Sequence, residues 1–161
     1  MPGAMAARPT VTIYSDGACL GNPGRGGYGT VLLFGAHRKE LAAGFKRTTN
    51  NRMELLGAIV GLESLTRPCQ VQLWSDSQYV VHALSKGWLA GWLKRGWRTA
   101  SKEPVKNRDL WERMLAAIGE HEIDWQWVRG HTGNAENERC DQLAVEAANG
   151  AELADDAGFD G

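Results

Sequence analysis

The chain has 161 residues, 43% hydrophobic and 23% charged, with a formal net charge of −1, the make-up of one ordinary globular domain with its own core. No apolar run approaches the ~20 residues that a membrane helix needs, and the opening MPGAMAARPT lacks the cationic and apolar parts of a secretory leader. Three cysteines, Cys19, Cys69 and Cys140, show no paired spacing and exclude a disulfide framework, so a cytoplasmic, monomeric protein without membrane attachment is expected.

Residues 10–16 and 26–34 are β-branched and apolar runs around the turn CLGNPGRGG, which predicts a hairpin. KELAAGFKRTT reads as a third, returning strand. From Asn51 to about Thr66 apolar residues recur at helical spacing: Met53, Leu56, Ile59 or Val60, and Leu62 or Leu65. VQLWS predicts a short strand and SQYVVHALS the start of a helix. NRDLWERMLAAIGEH is an amphipathic helix, IDWQWV a fifth strand, and AENERCDQLAVEAAN a last helix. Three strands followed by helix–strand–helix–helix–strand–helix predict a mixed α/β (α+β) fold: one five-stranded sheet with helices on both faces. The domain is expected over 10–148, after a flexible segment at 1–9. The closing ANGAELADDAGFDG is small and acidic with little to bury, so 149–161 is expected to be a disordered, solvated tail.

Two strands end in a carboxylate: TVTIYSDG at Asp16 and VQLWSDS at Asp76. Each has a bland reading, Asp16 as a turn-former and Asp76 as the N-cap of the helix that follows. Neighbouring strand ends in one sheet lie roughly 5–10 Å apart, so both carboxylates could enter one crevice. Glu54 fits a capping box with Asn51 as N-cap, yet Gly57, Ala58 and Gly61 continue its helical face and would let the helix lie close to the sheet. Asp141 shares an angular position with Ala144, Val145 and Ala148 on the last helix, or else sits on a solvated face. Four acids gathered together would repel one another unless divalent cations neutralised them, and an all-oxygen ligand set favours Mg²⁺ or Mn²⁺ over Zn²⁺. His131, in the loop VRGHTGNAENE that leads to Asp141, is either structural or placed for proton transfer.

Zinc spacings and the serine-hydrolase elbow are missing from the sequence. GRGGYG matches the dinucleotide-loop pattern, but the strand-like TVLLF follows it where a helix would have to begin, so it reads as hairpin punctuation. Between Lys86 and Arg108 seven basic residues face the single acid Glu103, which suggests a polyanionic partner. Trp88 and Trp92, one helical turn apart beside Lys94 and Arg95, could share a surface suited to stacking and backbone tracking on nucleic acid, whereas Trp97 reads as core.

YSDGACLGNPG, RTTNNRMELLGAI, LWSDSQYV, KRGWRTASKEPVKNRDLW and WVRGHTGNAENERCDQLA together resemble, in order and across nearly all of 10–148, the bacterial type 1 ribonuclease H family. The resemblance implies a ribonuclease H-like fold, with three antiparallel strands followed by two parallel ones. It also implies Mg²⁺-dependent endonucleolytic cleavage of the RNA strand of RNA–DNA hybrids, with Mn²⁺ as a substitute and two ions present with substrate, giving 5′-phosphate and 3′-hydroxyl ends. Carried over by position, the metal-binding acids are Asp16, Glu54, Asp76 and Asp141, and His131 falls on the family's mobile histidine. Cys19, Asn22, Asn50 and Gln78 would read the minor groove and RNA sugars; Arg47, Thr49 and Asn107 would hold a DNA-strand phosphate; Trp88 and Trp92 would pack on deoxyribose. The alternatives are another nuclease of the same fold and a non-catalytic hybrid-binding module, the latter expected to lack at least one acid.

Overall fold

The computed structural model describes residues 8–129 and 134–160. Among the described residues six strands and five helices follow one another: β1 Thr10–Leu20, β2 Gly24–Phe34, β3 His37–Thr48, α1 Asn50–Glu63, β4 Gln70–Ser75, α2 Gln78–Ser85, α3 Trp88–Lys94, α4 Arg108–Ile118, β5 Glu122–Trp127, α5 Ala135–Ala148 and β6 Leu153–Ala154. They form one mixed sheet in the order β5-β4-β1-β2-β3-β6. β1, β2 and β3 are antiparallel neighbours, and β4 and β5 run parallel to β1. Among the described residues no helix is long and apolar enough to cross a membrane.

The sheet has six strands rather than the expected five because the C-terminal segment adds β6, paired through Gly44↔Leu153 and Phe45↔Ala154. The acidic tail is therefore not wholly solvated. Asp156, whose side chain is 6% exposed, pairs with the buried Arg52 and accepts from Thr48 Oγ1 at 2.7 Å. A carboxylate that reaches a desolvated guanidinium and a hydroxyl has a reason to leave water, which composition alone does not reveal. At the other end, Pro9 is not loose either: its carbonyl accepts from Gln70 N at 2.8 Å. Residues 1–7 lie outside the described residues.

The two faces of the sheet are packed differently. α1 and α4 cover one face with a thick apolar layer in which Val11, Ile13, Val71 and Leu73 meet Met53, Ile59, Leu62, Trp111 and Met114, each large buried side chain contributing roughly 1.5–3 kcal/mol. α5 covers the other face with its backbone seated directly on strand glycines. A Cβ on Gly29 would lie 2.2 Å from the Cys140 carbonyl oxygen, and one on Gly27 would lie 2.6 Å from that of Ala144. GRGGYG is thus not hairpin punctuation. It lies within β2, where alternate glycines seat the small stripe Cys140, Ala144, Ala148, all buried. The turn itself is only residues 21–23, with a cis Asn22–Pro23 peptide.

Candidate active site

The parallel register decides where the strand-end acids go. Ser15 of β1 pairs with Ser75 of β4, so the next residues, Asp16 and Asp76, stand side by side at the same end of adjacent strands. Neither takes its bland role. Asp16 continues within β1, paired with Gly29, and the N-cap of α2 is Ser77, whose side chain accepts from Val80 N, leaving the Asp76 carboxylate uncommitted to the helix end.

Glu54 arrives from α1, and here too the expected cap is displaced. Thr49, not Asn51, is the N-cap and accepts from Arg52 N at 3.3 Å, so no capping box forms and Glu54 turns toward the sheet. Gly17 makes the approach possible: a Cβ there would lie 2.5 Å from Glu54 N and 2.6 Å from Met53 C. Gly57 and Gly61 continue that stripe, packing against Asp16 and Ile13, as their small size in the sequence implies. The Gly17 N–H then donates to two carboxylates at once, Asp16 Oδ1 at 2.8 Å and Glu54 Oε1 at 3.0 Å.

Asp16, Glu54 and Asp76 each offer an oxygen, and these atoms all lie within 4.8 Å of one another. Asp16 is 3% exposed and Glu54 4%, while Asp76 is half-buried. Burial pushes the Asp16 carboxyl up to about 8, with the neighbouring Asp76 charge adding to the rise. Glu54 is held well above the usual carboxylate range, first by burial and then by the charges of Asp16 and Asp76. Among the described residues Glu54 Oε2 is buried without a hydrogen-bond partner. A buried, unpartnered carboxylate oxygen among like charges is costly on its own. A hard divalent cation with oxygen ligands removes both costs, so the donor set fits such an ion.

Asp141 stands outside this trio. The buried stripe of α5 runs through Asn137, Cys140, Ala144 and Ala148, which leaves Asp141 half-buried on its flank and Val145 exposed, not core-facing as the spacing suggested. Even so, Cys140 lies over Gly29, the strand partner of Asp16, so Asp141 belongs to the same end of the sheet. His131 lies outside the described residues.

Several of the residues expected at the substrate lie on the turn and helix starts beside this site. Asn22 Oδ1, on the β1–β2 turn, accepts from Asn50 N at 3.0 Å, joining the turn to the start of α1. Cys19 Sγ, half-buried, faces the Thr48 carbonyl at 3.4 Å. Thr49 and Asn107 line a cleft of about 690 Å³ together with Asn22, Arg52 and Arg108. Arg47 is the penultimate residue of β3, and Gln78 opens α2 two residues after Asp76. The tryptophans part company: Trp88 is 43% exposed, whereas Trp92 is half-buried with its ring edge-on to Trp111 at 5.4 Å. Lys94 and Arg95 are exposed at the end of α3.

One cluster gave no local signal in the sequence. Arg52, with a side chain 2% exposed, forms paired bonds to Asp109 (2.9 and 2.6 Å) and to Asp156 (2.7 and 3.0 Å), and also donates to Asn107 Oδ1 at 3.3 Å. Its partners are 57 and 104 residues away. The cluster ties α1, α4 and the tail together beneath the cleft.

Compared with known proteins, residues 8–149 match the RNase H family model. The chain belongs to the RNase H family. It is 58% identical to a Ribonuclease H of Aeromonas hydrophila over 149 residues, covering 92% of this chain and 96% of that one. It is also 58% identical to a Ribonuclease H of Shewanella amazonensis, covering 96% and 99%. Among solved structures it is similar to LC9-RNase H1, described as a type 1 RNase H with the type 2 active-site motif, at a TM-score of 0.82 and 32% identity over 92% of this chain and 76% of that one. LC11-RNase H1, solved in complex with an RNA/DNA hybrid, shares the fold at a TM-score of 0.67 and 24% identity, covering 86% and 96%. This RNase H family member carries its carboxylate trio within the matched residues.

Proposed function

We propose that the chain is a metal-dependent endoribonuclease that cleaves the RNA strand of RNA–DNA hybrids, leaving 5′-phosphate and 3′-hydroxyl ends, and that it acts as a monomer in the cytoplasm. The observation that carries this reading is the carboxylate trio Asp16, Glu54 and Asp76, two of them buried, with a Glu54 oxygen that has no hydrogen-bond partner among the described residues. Asp16, Glu54 and Asp76, with Asp141 from the flank, would hold Mg²⁺, with Mn²⁺ as a substitute and two ions with substrate. Bound there, divalent ions supply an activated water and offset charge on the scissile phosphate and the departing 3′-oxygen. The chain's own part is positional. The Gly17 N–H orients two carboxylates, and burial keeps water from solvating them. His131 would carry protons to or from the reacting oxygens.

Hybrid recognition follows from the groups around the trio. Cys19, Asn22, Asn50 and Gln78 would meet the minor groove, where the RNA 2′-hydroxyls lie. Arg47, Thr49 and Asn107 would hold a DNA-strand phosphate at the cleft. Trp88 and Trp92, with Lys94 and Arg95, would contact the DNA sugar–phosphate strand. Contacts to backbone and sugar carry little base information, so sequence preference is weak. The test is incubation with an end-labelled RNA–DNA hybrid, with Mg²⁺ and with chelator, beside matched duplex RNA and duplex DNA. Cleavage confined to the RNA strand of the hybrid, and lost with chelator, supports the proposal. Equal cleavage of duplex RNA, or none of the hybrid, defeats it.

A further inference from the structure

We infer that Trp127 is a positioning residue for Asp76, holding that carboxylate in place through its main chain; the inference rests on the metal-binding role proposed above. β4 and β5 are parallel and end together, with Ser75 paired to Trp127. Beyond that pair the Val128 N–H donates to the Ser75 carbonyl at 2.9 Å, and the Trp127 indole Nε1–H donates to the Asp76 carbonyl at 3.1 Å. From the other side, Ser77 N donates to Ser75 Oγ at 3.1 Å, while Ser77 caps α2. The peptide units on both sides of Asp76 are thereby held, and its side chain is left to face Asp16 and Glu54.

Trp127 is 38% exposed, more than a core tryptophan would be, so burial does not account for its place. Its ring is braced by His82 of α2, with centroids 6.5 Å apart. His82 in turn stands edge-on to Trp88, at 5.8 Å and 84°. A file of three rings thus runs from the exposed Trp88, at the start of the basic segment, to the carbonyl of Asp76. Groups that orient a metal ligand without touching the metal commonly change metal affinity or activity by about 10–100-fold when removed.

Trp127→Phe keeps an aromatic ring at this position and deletes the N–H. Mg²⁺ titration of the nucleic-acid-free protein, followed by the Gly17 and Ser77 amide resonances, should show about tenfold weaker binding in the variant. With hybrid, kcat at limiting Mg²⁺ should fall, KM for hybrid should stay unchanged, and excess Mg²⁺ should restore kcat. A merely structural role would lower the urea midpoint and leave Mg²⁺ affinity alone. Unchanged affinity, or a loss seen in KM alone, overturns the inference, and the nuclease assignment survives that result as long as the wild type cuts hybrid. Should Trp127→Phe fail to fold, the wild-type protein still decides: the Trp127 indole N–H resonance should shift during Mg²⁺ titration with the same midpoint as Gly17, and a resonance that does not move refutes the positioning role.

Discussion

Asp16→Asn should make the metal-free protein more stable at neutral pH, although it removes a carboxylate of the proposed metal site. Asp16 is 3% exposed and its carboxyl is pushed from the ordinary 3.8 up to about 8, mainly by burial and then by Asp76. The folded chain thus binds this proton more tightly than the unfolded chain does. The stability Asp16 contributes is fully present below pH 3.8 and is lost progressively as pH rises toward 8. At about 1.4 kcal/mol per pH unit, the upper bound on that loss at pH 7.5 is about 5 kcal/mol. Glu54 and Asp76 share the same local charge, so about 2–3 kcal/mol is the expected gain from asparagine. For a chain of this size that is a rise in Tm of roughly 5–10 °C. Urea unfolding in chelator at pH 7.5 and pH 5 reads it directly: the advantage of the variant should shrink at pH 5 to roughly a third, because most of the titration window lies above. Adding Mg²⁺ should stabilise the wild type and not the variant. A variant no more stable than wild type at pH 7.5, or an advantage equal at both pH values, would refute the reasoning.

Three further outcomes follow from the same geometry. Asp76→Asn should leave hybrid binding in place, measured by anisotropy, while lowering kcat by more than about 100-fold, the upper range for groups that only orient a ligand. Gly29→Ala would set a Cβ 2.2 Å from the Cys140 carbonyl oxygen and so push α5 from the sheet, at a cost of about 1–3 kcal/mol or more by urea denaturation; kcat should fall with it, because Asp141 rides on α5. Arg52→Ala should cost about 3–5 kcal/mol, since it leaves the Asp156 carboxylate without its buried partner, and truncation before Leu153 should remove most of the difference between the variant and wild type.

The strand-end acids were legible because two facts combine: a β-branched run gives a strand, and adjacent parallel strands place equivalent ends together. Register completes the step, through Ser15↔Ser75. Helix starts were less legible. TTNN offers four consecutive capping residues, and local chemistry does not choose among them; the docking of α1 on Gly17 does, and it makes Thr49 the cap. The glycines of β2 read as turn because their strand role depends on a helix more than 100 residues later. A signal existed in the period-two spacing of Gly27 and Gly29 against the period-four spacing of Cys140, Ala144 and Ala148. The tail offered no such signal. Its composition matches a solvated segment, and the distant Arg52 and Thr48 give Asp156 its reason to be buried.

The most direct test of the account is where a divalent ion settles. In a ¹H–¹⁵N spectrum at pH 7.5, substoichiometric Mn²⁺ should broaden the amides of Gly17, Glu54 and Ser77 first, and Asp16→Asn should abolish that pattern. Broadening centred elsewhere on the protein, or an unchanged pattern in the variant, would contradict the claim that these buried carboxylates form the metal site.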